Sequence, residues 1–262
     1  MANCKVIAVA NQKGGVGKTT TAVNLSALLG AMGQRVLMID LDPQGNTTSG
    51  LGMEVDDKSI YEVIMGRMKL TDVMEETEFK NLSIAGSDVR LANAELELVE
   101  VEKREYRLKT AVQSVQQDFD FIFIDCPPSL GLLTINALGA ADSVLIPIQC
   151  EYYALEGVAS LMNTISRVKK TINPHLEIEG VLLTMLDGRT NLGLQVVDEV
   201  KKHFKKQVYA TVIPRSVRLG EAPSHGEPIH VYDKRSAGCV AYVNLAKEVL
   251  KRNNIKVKEF KL

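Results

Sequence analysis

Cysteines are few in this sequence, and none stands at a spacing typical of a metal site. Cys4, Cys126, Cys150 and Cys239 are widely separated among the 262 residues, without a C-x-x-C pair. Neither a zinc site nor a disulfide framework is therefore expected, and buried reduced thiols are the simpler interpretation.

Long apolar runs and linker-like segments are also missing. No apolar stretch reaches the roughly 18–20 residues that span a bilayer, and the first residues lack the features of a secretory signal. We therefore expect a cytoplasmic protein with no membrane partner. Since repeats and low-complexity linkers are absent too, we expect one domain over residues 1–252, followed by a polar, basic tail over residues 253–262.

Charge is balanced over the whole chain but not along it. The net charge is −1, whereas residues 189–262 carry 15 Lys and Arg against 7 Asp and Glu. This excess of +8 is a hint of a polyanion-binding face. The alternative is that surface helices simply carry lysines.

Short apolar runs alternate with helical patterns from end to end. Predicted strands cover residues 6–10, 36–39, 82–85, 121–124, 144–148, 181–184 and 208–213, and predicted helices cover residues 19–32, 91–117, 154–170, 192–205 and 237–251. The strands are apolar almost throughout, as strands covered on both faces must be. The pattern predicts an α/β fold, a twisted and mainly parallel β-sheet with helices on both faces.

A glycine-rich segment after the first predicted strand has the pattern of a phosphate-binding loop. It consists of Lys13, Gly14, Gly15, Val16, Gly17, Lys18, Thr19 and Thr20. Closely spaced glycines let backbone N–H groups converge on phosphate oxygens, and the following helix adds its positive N-terminal end. In this pattern Lys18 reaches the β- and γ-phosphates of ATP, and the Thr19 hydroxyl binds Mg²⁺.

One position departs from the general G-x-x-x-x-G-K-T pattern. Gln12 stands where the first glycine is expected, and a second lysine, Lys13, follows it. Because Lys18 already serves the phosphates from within the chain, Lys13 can point outward across an interface.

These residues resemble the "deviant Walker A" motif of the MinD/ParA class of P-loop NTPases. Five further segments are similar to ParA/Soj-type chromosome-partition ATPases, namely residues 40–46, 125–131, 150–157, 183–187 and 212–218. The resemblance covers nearly the whole chain. It implies a single P-loop NTPase domain that hydrolyses ATP with Mg²⁺.

Three carboxylates are candidates for the chemistry. Asp125 ends an apolar strand, where a carboxylate can hold Mg²⁺, in part through water. Asp40 and Asp42 lie at another strand exit, and their position alone does not rank them. The resemblance implies that Asp42 is the hydrolytic residue, whereas Asp40 supports the switch and the Mg²⁺ shell.

The resemblance also assigns the second lysine and the base site. It implies that Lys13 reaches phosphates bound by the opposing subunit of an ATP-dependent homodimer, so that Lys13, Lys18 and Asp42 form the catalytic set. Backbone groups near Pro214 and Ser216 are implied to face adenine, although this family often has Asn where Ser216 stands.

Two macromolecular partners follow from the resemblance. ParA/Soj proteins bind double-stranded DNA without sequence preference, and Arg189 and Arg218 match family arginines with that role. The centromere-binding protein ParB is the implied protein partner, and association with the nucleoid is the implied location.

Three alternatives share the same loop. A MinD-type membrane-positioning ATPase needs a C-terminal amphipathic helix, but Ile255, Val257, Phe260 and Leu262 lie poorly on one helical face. An iron–sulfur reductase component needs cysteines that bridge a cluster between subunits, and this sequence has no second, suitably placed cysteine beside Cys126. A metabolic ligase or kinase-like enzyme on the same fold, with a small-molecule acceptor, is distinguished by whether ATP turnover responds to a metabolite or to DNA and a ParB-like protein.

Overall fold

The computed structural model describes residues 4–151, 156–189, 191–257 and 260. Its strands form an eight-stranded sheet in the order β3-β4-β2-β5-β1-β6-β7-β8. The strands are β1 (Lys5–Val9), β2 (Val36–Asp40), β3 (Met74–Glu76), β4 (Leu82–Ala85), β5 (Phe121–Asp125), β6 (Ser143–Gln149), β7 (Glu177–Leu186) and β8 (Val208–Pro214). All pairings are parallel except that of β3 with β4, so the predicted mainly parallel sheet is confirmed.

Helices cover both faces of this sheet. They are α1 (Lys18–Ala31), α2 (Asn46–Gly50), α3 (Ile60–Ile64), α4 (Leu91–Glu97), α5 (Arg107–Gln113), α6 (Leu132–Ala140), α7 (Glu156–Thr171), α8 (Asn191–Phe204), α9 (Val217–Glu221), α10 (Ile229–Tyr232) and α11 (Ala237–Arg252). Within β1, Val6 and Ala8 join the core under α3 to α8, whereas Ile7 and Val9 join the core under α1 and α11. This alternation explains why the central strands are apolar almost throughout, up to the aspartates that end β2 and β5.

The register of the central strands brings the candidate residues to one edge. Strand β5 lies between β1 and β2, and Asp40 at the end of β2 is paired with Asp125 at the end of β5. Because the strands are parallel, their carboxyl ends open on the same crevice, where ligands of open α/β sheets bind.

The single long helix predicted for residues 91–117 is wrong. Helix α4 ends at Glu97, and Lys103 has a left-handed backbone with φ of 53° before a 3₁₀ turn leads into α5. Asn136 of α6 explains the break, since its side chain accepts a hydrogen bond from the Leu108 N–H and donates one to the Arg104 carbonyl. These bonds from another helix replace bonds that a continuous helix would make with itself.

The remaining predicted elements differ from the structure mainly at their ends. The start of the helix predicted for 154–170 lies outside the described residues, and α7 is described from Glu156. After α11, the side chains of Ile255, Val257 and Phe260 are partly buried against the core on the α1 side. No helix within the described ranges is long and apolar enough to cross a membrane.

Candidate active site

The phosphate-binding loop joins β1 to α1 and is held from both sides. Gly15 and Gly17 have left-handed backbones, with φ of 70° and 88°, which glycine adopts at little cost. The Asn11 side chain accepts a hydrogen bond from the Lys13 N–H and donates one to the Pro147 carbonyl at 2.7 Å. On the other side, the Thr184 hydroxyl donates to the Val16 carbonyl at 2.8 Å. Strands β6 and β7 therefore fix the loop before any ligand binds.

The two lysines of the loop differ in their surroundings. Lys18 is buried, and its Nζ donates to the Lys13 carbonyl at 3.2 Å. Burial lowers the pKa of Lys18, while the neighbouring charges of Asp125 and Asp42 raise it. Lys13 is half-buried, and its amine makes no ion pair within the described part of the chain. Lys18 thus lies close to the carboxylates Asp125 and Asp42 of its own chain.

Asp125 is a buried carboxylate that two threonines hold by one oxygen. Its Oδ2 accepts hydrogen bonds from Thr19 at 2.7 Å and from Thr47 at 2.8 Å. Its Oδ1 is buried without a hydrogen-bond partner among the described residues. Burial, together with the charge of Asp40, raises the pKa of Asp125 to about 7. An unpaired oxygen at this depth is costly unless a ligand satisfies it.

Unlike Asp125, Asp40 accepts hydrogen bonds with both of its carboxylate oxygens. Its Oδ2 accepts from the Thr48 hydroxyl at 2.7 Å and the Thr48 N–H at 2.9 Å, and its Oδ1 accepts from the Asp42 N–H at 3.1 Å. Burial raises the pKa of Asp40 to about 6 despite these bonds. Asp40 therefore fixes the start of α2, whereas Asp42 Oδ1 accepts from the Gln44 N–H.

A cavity beside the loop lies where a base is expected. It has a volume of about 220 Å³, and both Gly17 and Thr20 of the loop line it. Pro214, Arg215 and Ser216 from the end of β8 and the start of α9 also line it, as does Tyr242 of α11. The cavity therefore joins the phosphate loop to the segment that the sequence resemblance assigned to adenine.

Comparisons with known proteins decide the family. The AAA domain family matches residues 4–178. The sporulation initiation inhibitor protein Soj of Bacillus subtilis (strain 168) is 59% identical over 247 residues, covering 94% of this chain and 98% of Soj. The chromosome partitioning protein ParA of Myxococcus xanthus is 51% identical, covering 96% and 90%. The chain belongs to the ParA/Soj family of chromosome-partition ATPases.

A solved structure similar to this ParA/Soj family member holds the expected ligands. The crystal structure of a Mycobacterium smegmatis protein named cobyrinic acid a,c-diamide synthase contains bound ADP and magnesium. It is 39% identical, with a TM-score of 0.84, and the match covers 95% of this chain and 94% of that one. The predicted fold, the ATPase class and the use of ATP with Mg²⁺ are thereby confirmed.

The residues of this ParA/Soj member fit a Mg²⁺ ion in one respect that sequence could not show. The unpaired Oδ1 of Asp125 offers a buried anionic ligand, and the Thr19 hydroxyl lies beside the same carboxylate. Among the described residues, no three His, Cys, Asp or Glu side chains form a metal cluster. A buried carboxylate with a hydroxyl beside it suits Mg²⁺, which binds through one or two carboxylates together with water and substrate phosphates.

Sequence reasoning missed the two threonines of α2. Thr47 bonds to Asp125 and Thr48 bonds to Asp40, so α2 ties the two strand ends together. The available signal was a pair of hydroxyl residues directly after the segment 40–46, because hydroxyls so placed can donate to buried carboxylates.

The two candidate DNA-binding arginines differ in their exposure and in the number of their ion-pair partners. The Arg189 side chain is 89% exposed and pairs with Asp187 at 2.8 Å. The Arg218 side chain is 55% exposed and pairs with both Glu221 at 2.9 Å and Asp233 at 3.4 Å. Because these ion pairs are contacts within the protein, both DNA-binding roles stay predictions.

Proposed function

We propose that the chain is an ATP-dependent dimerisation switch with slow ATP hydrolysis. As the ATP dimer it binds DNA without sequence preference and acts with a ParB-like protein in chromosome or plasmid segregation. The observation that carries this proposal is the unequal environment of the two loop lysines. Lys18 is buried beside the carboxylates, whereas the Lys13 amine has no ionic partner in the described part of its own chain.

The roles at the nucleotide follow from the contacts. Lys18 exchanges its bond to the Lys13 carbonyl for the β- and γ-phosphates, because an anionic phosphate attracts an ammonium group more strongly than a neutral carbonyl does. Thr19 and Asp125 would hold Mg²⁺, with Asp40 supporting them through α2, and the ion neutralises charge on the phosphates when bound. Asp42 orients the attacking water, and Pro214 and Ser216 face the base.

Lys13 turns nucleotide binding into assembly. A lysine supplied to the partner's phosphates offsets negative charge that would repel two ATP-bound subunits. ATP then has a higher affinity for the dimer than for the monomer. By linkage, ATP shifts the monomer–dimer equilibrium towards the dimer by the same free energy. Hydrolysis removes the shared γ-phosphate, and the bound nucleotide then no longer favours the dimer.

DNA binding is supported by charge and by exposure. Residues 189–262 have an excess of +8, and Arg189 is the more exposed of the two candidate arginines. Arg218 must give up two carboxylate partners to contact a phosphate, so we expect its contribution to be smaller. Phosphate contacts give affinity without sequence readout.

The test is DNA binding with ATP, with ADP and without nucleotide, each across a salt series. A dimer that neutralises about four phosphates gives a log–log salt slope near −3.6 and loses roughly 10²-fold affinity between 50 and 200 mM salt. Arg189→Ala should flatten that slope by about 1.8. Arg35→Ala is a matched control, because Arg35 also pairs with an aspartate, Asp120 at 2.9 Å, but precedes β2 at the opposite edge of the sheet.

Binding that ignores nucleotide would contradict the switch, and an unchanged slope in Arg189→Ala would remove that residue from the interface. Vesicle sedimentation with ATP tests the MinD-type alternative. That alternative is disfavoured by the packing of Ile255, Val257 and Phe260 on the protein's own core.

A second candidate function, an ATP-dependent ligase, is favoured only by the name of the 39% identical Mycobacterium smegmatis protein. Turnover that responds to a corrinoid carboxylate, and not to DNA with a ParB-like protein, would support it.

A further inference from the structure

Helix α6 begins without a cap of its own. Its N-cap residue is Gly131, which has no side chain to accept a hydrogen bond, and no acidic residue lies in its first turn. The first N–H groups of a helix have no partner within the helix and attract negative charge. A donor buried here therefore needs an acceptor from elsewhere in the fold.

Glu95 of α4 supplies that acceptor. Its Oε1 accepts a hydrogen bond from the backbone N–H of Leu133, in the first turn of α6, at 3.2 Å. Leu133 is buried and Glu95 is half-buried, so water competes less for this bond than at the surface. A carboxylate 38 residues away in sequence thus replaces the missing cap.

The backbone of Gly131 does not by itself require glycine. Its φ of −76° and ψ of −167° are values that any residue adopts. A Cβ at this position, however, would overlap Glu95 Oε1 and lie 2.9 Å from Glu95 Cδ. A side chain at residue 131 would therefore displace the carboxylate from α6.

The segment that this contact holds follows Asp125 directly. Residues 126–131 run from the end of β5 to the start of α6, and their first N–H, that of Cys126, donates to the Val9 carbonyl of β1. The Thr134 hydroxyl donates to the Ser129 carbonyl at 2.6 Å within the far half. The segment is thus held by β1 at its start, and the first turn of α6 directly after its end is held by Glu95.

We propose that Glu95 is a positioning residue that holds residues 126–131 against the nucleotide site, and that Gly131 is required to admit it. Part of this inference rests on the proposed placement of Mg²⁺ at Asp125. A segment set from both ends keeps its backbone in place while ATP reacts, and small misplacements near the reacting atoms are expensive in rate. Glu95 itself touches neither nucleotide nor metal in this assignment.

The experiment is a double-mutant cycle on the full chain with Glu95→Ala, Gly131→Ala and the combined variant. Hydrogen exchange at the Leu133 amide should accelerate about tenfold in Glu95→Ala, as expected for loss of a hydrogen bond to a charged group. The kcat for ATP should fall roughly tenfold, with KM within about twofold. Glu95→Gln keeps an acceptor oxygen and should restore most of both quantities.

The double-mutant cycle shows whether the substitutions at Glu95 and Gly131 break the same contact or act independently. Gly131→Ala should match Glu95→Ala, and the combined variant should be no worse than either, because both changes break the same contact. Glu100→Ala is the matched control, since Glu100 is exposed in the turn after α4, and it should behave as the wild type.

Additive losses in the combined variant would overturn the claim about Gly131. Unchanged kcat with faster exchange would reduce Glu95 to a structural cap and overturn its positioning role. The exchange measurements need no nucleotide, so they decide the contact even if the proposed Mg²⁺ placement fails.

Discussion

Replacing Asp125 by asparagine should stabilise the nucleotide-free protein while removing its response to Mg²⁺ and ATP. The carboxylate is fully buried, with one oxygen unpaired and Asp40 as its register partner. Burial and Asp40 raise its pKa from 3.8 to about 7. Keeping it ionised in the folded state therefore costs about 4 kcal/mol at pH 8, since one pKa unit corresponds to about 1.36 kcal/mol.

The same pKa fixes the sign and range of the pH dependence. Because folded Asp125 binds its proton more tightly than the unfolded chain does, the wild type loses stability as pH rises from about 4 to about 7. An asparagine does not titrate, so the variant does not lose this stability as the pH rises. Its advantage in the free energy of unfolding should be up to about 4 kcal/mol at pH 8 and clearly smaller at pH 5.

The assay is urea denaturation of both proteins at the two pH values, in EDTA and without nucleotide. The contacts of the amide itself do not titrate, so the difference between the two pH values isolates the charge. Asp120→Asn is the control of opposite sign, because the hydrogen bond from Arg35 lowers the pKa of Asp120 and its loss should destabilise at pH 8.

In a second arm, Mg²⁺ with ATP should raise the Tm of the wild type and leave that of Asp125→Asn unchanged. A variant that is less stable than the wild type at pH 8, or equally shifted at both pH values, would refute the electrostatic reasoning.

Three further substitutions test the remaining contacts. Lys18→Ala should abolish ATP binding in calorimetry, because it removes the cation expected at the phosphates, and retained affinity would contradict the loop assignment. Asp42→Ala should keep ATP bound with turnover reduced by roughly 10²-fold or more, and normal turnover would reject Asp42 as the water-orienting group. Thr184→Val should cost about 1 kcal/mol of stability and raise KM more than it lowers kcat, since it frees the Val16 carbonyl that anchors the loop.

Sequence patterns predicted the sheet well because burial on both faces leaves a strong local signal. The runs near residues 36–39 and 121–124 correspond to β2 and β5, which are buried at every position. The phosphate loop was equally predictable, since its glycines and Lys18 are contiguous. Features that depend on local composition are thus the ones that can be predicted from a sequence.

Features set by tertiary contacts could not be predicted in the same way. The break between α4 and α5 depends on Asn136, and the orientation of Asp125 depends on Thr47. The ion pair of Arg218 with Asp233 likewise arises only when α9 packs beside the end of α10. In each case a partner distant in sequence, or on a separate short element, decides the role.

The central claim is that Lys13 couples ATP to dimerisation, and mass measurement in solution tests it most directly. Light scattering after size exclusion should find the wild type as a dimer with Mg²⁺ and ATP and as a monomer with ADP. Lys13→Ala should bind ATP and stay a monomer, whereas Lys80→Ala, which removes an exposed lysine before β4, should dimerise normally. A wild type that remains monomeric with every nucleotide, or a Lys13→Ala protein that still dimerises with ATP, would contradict the account.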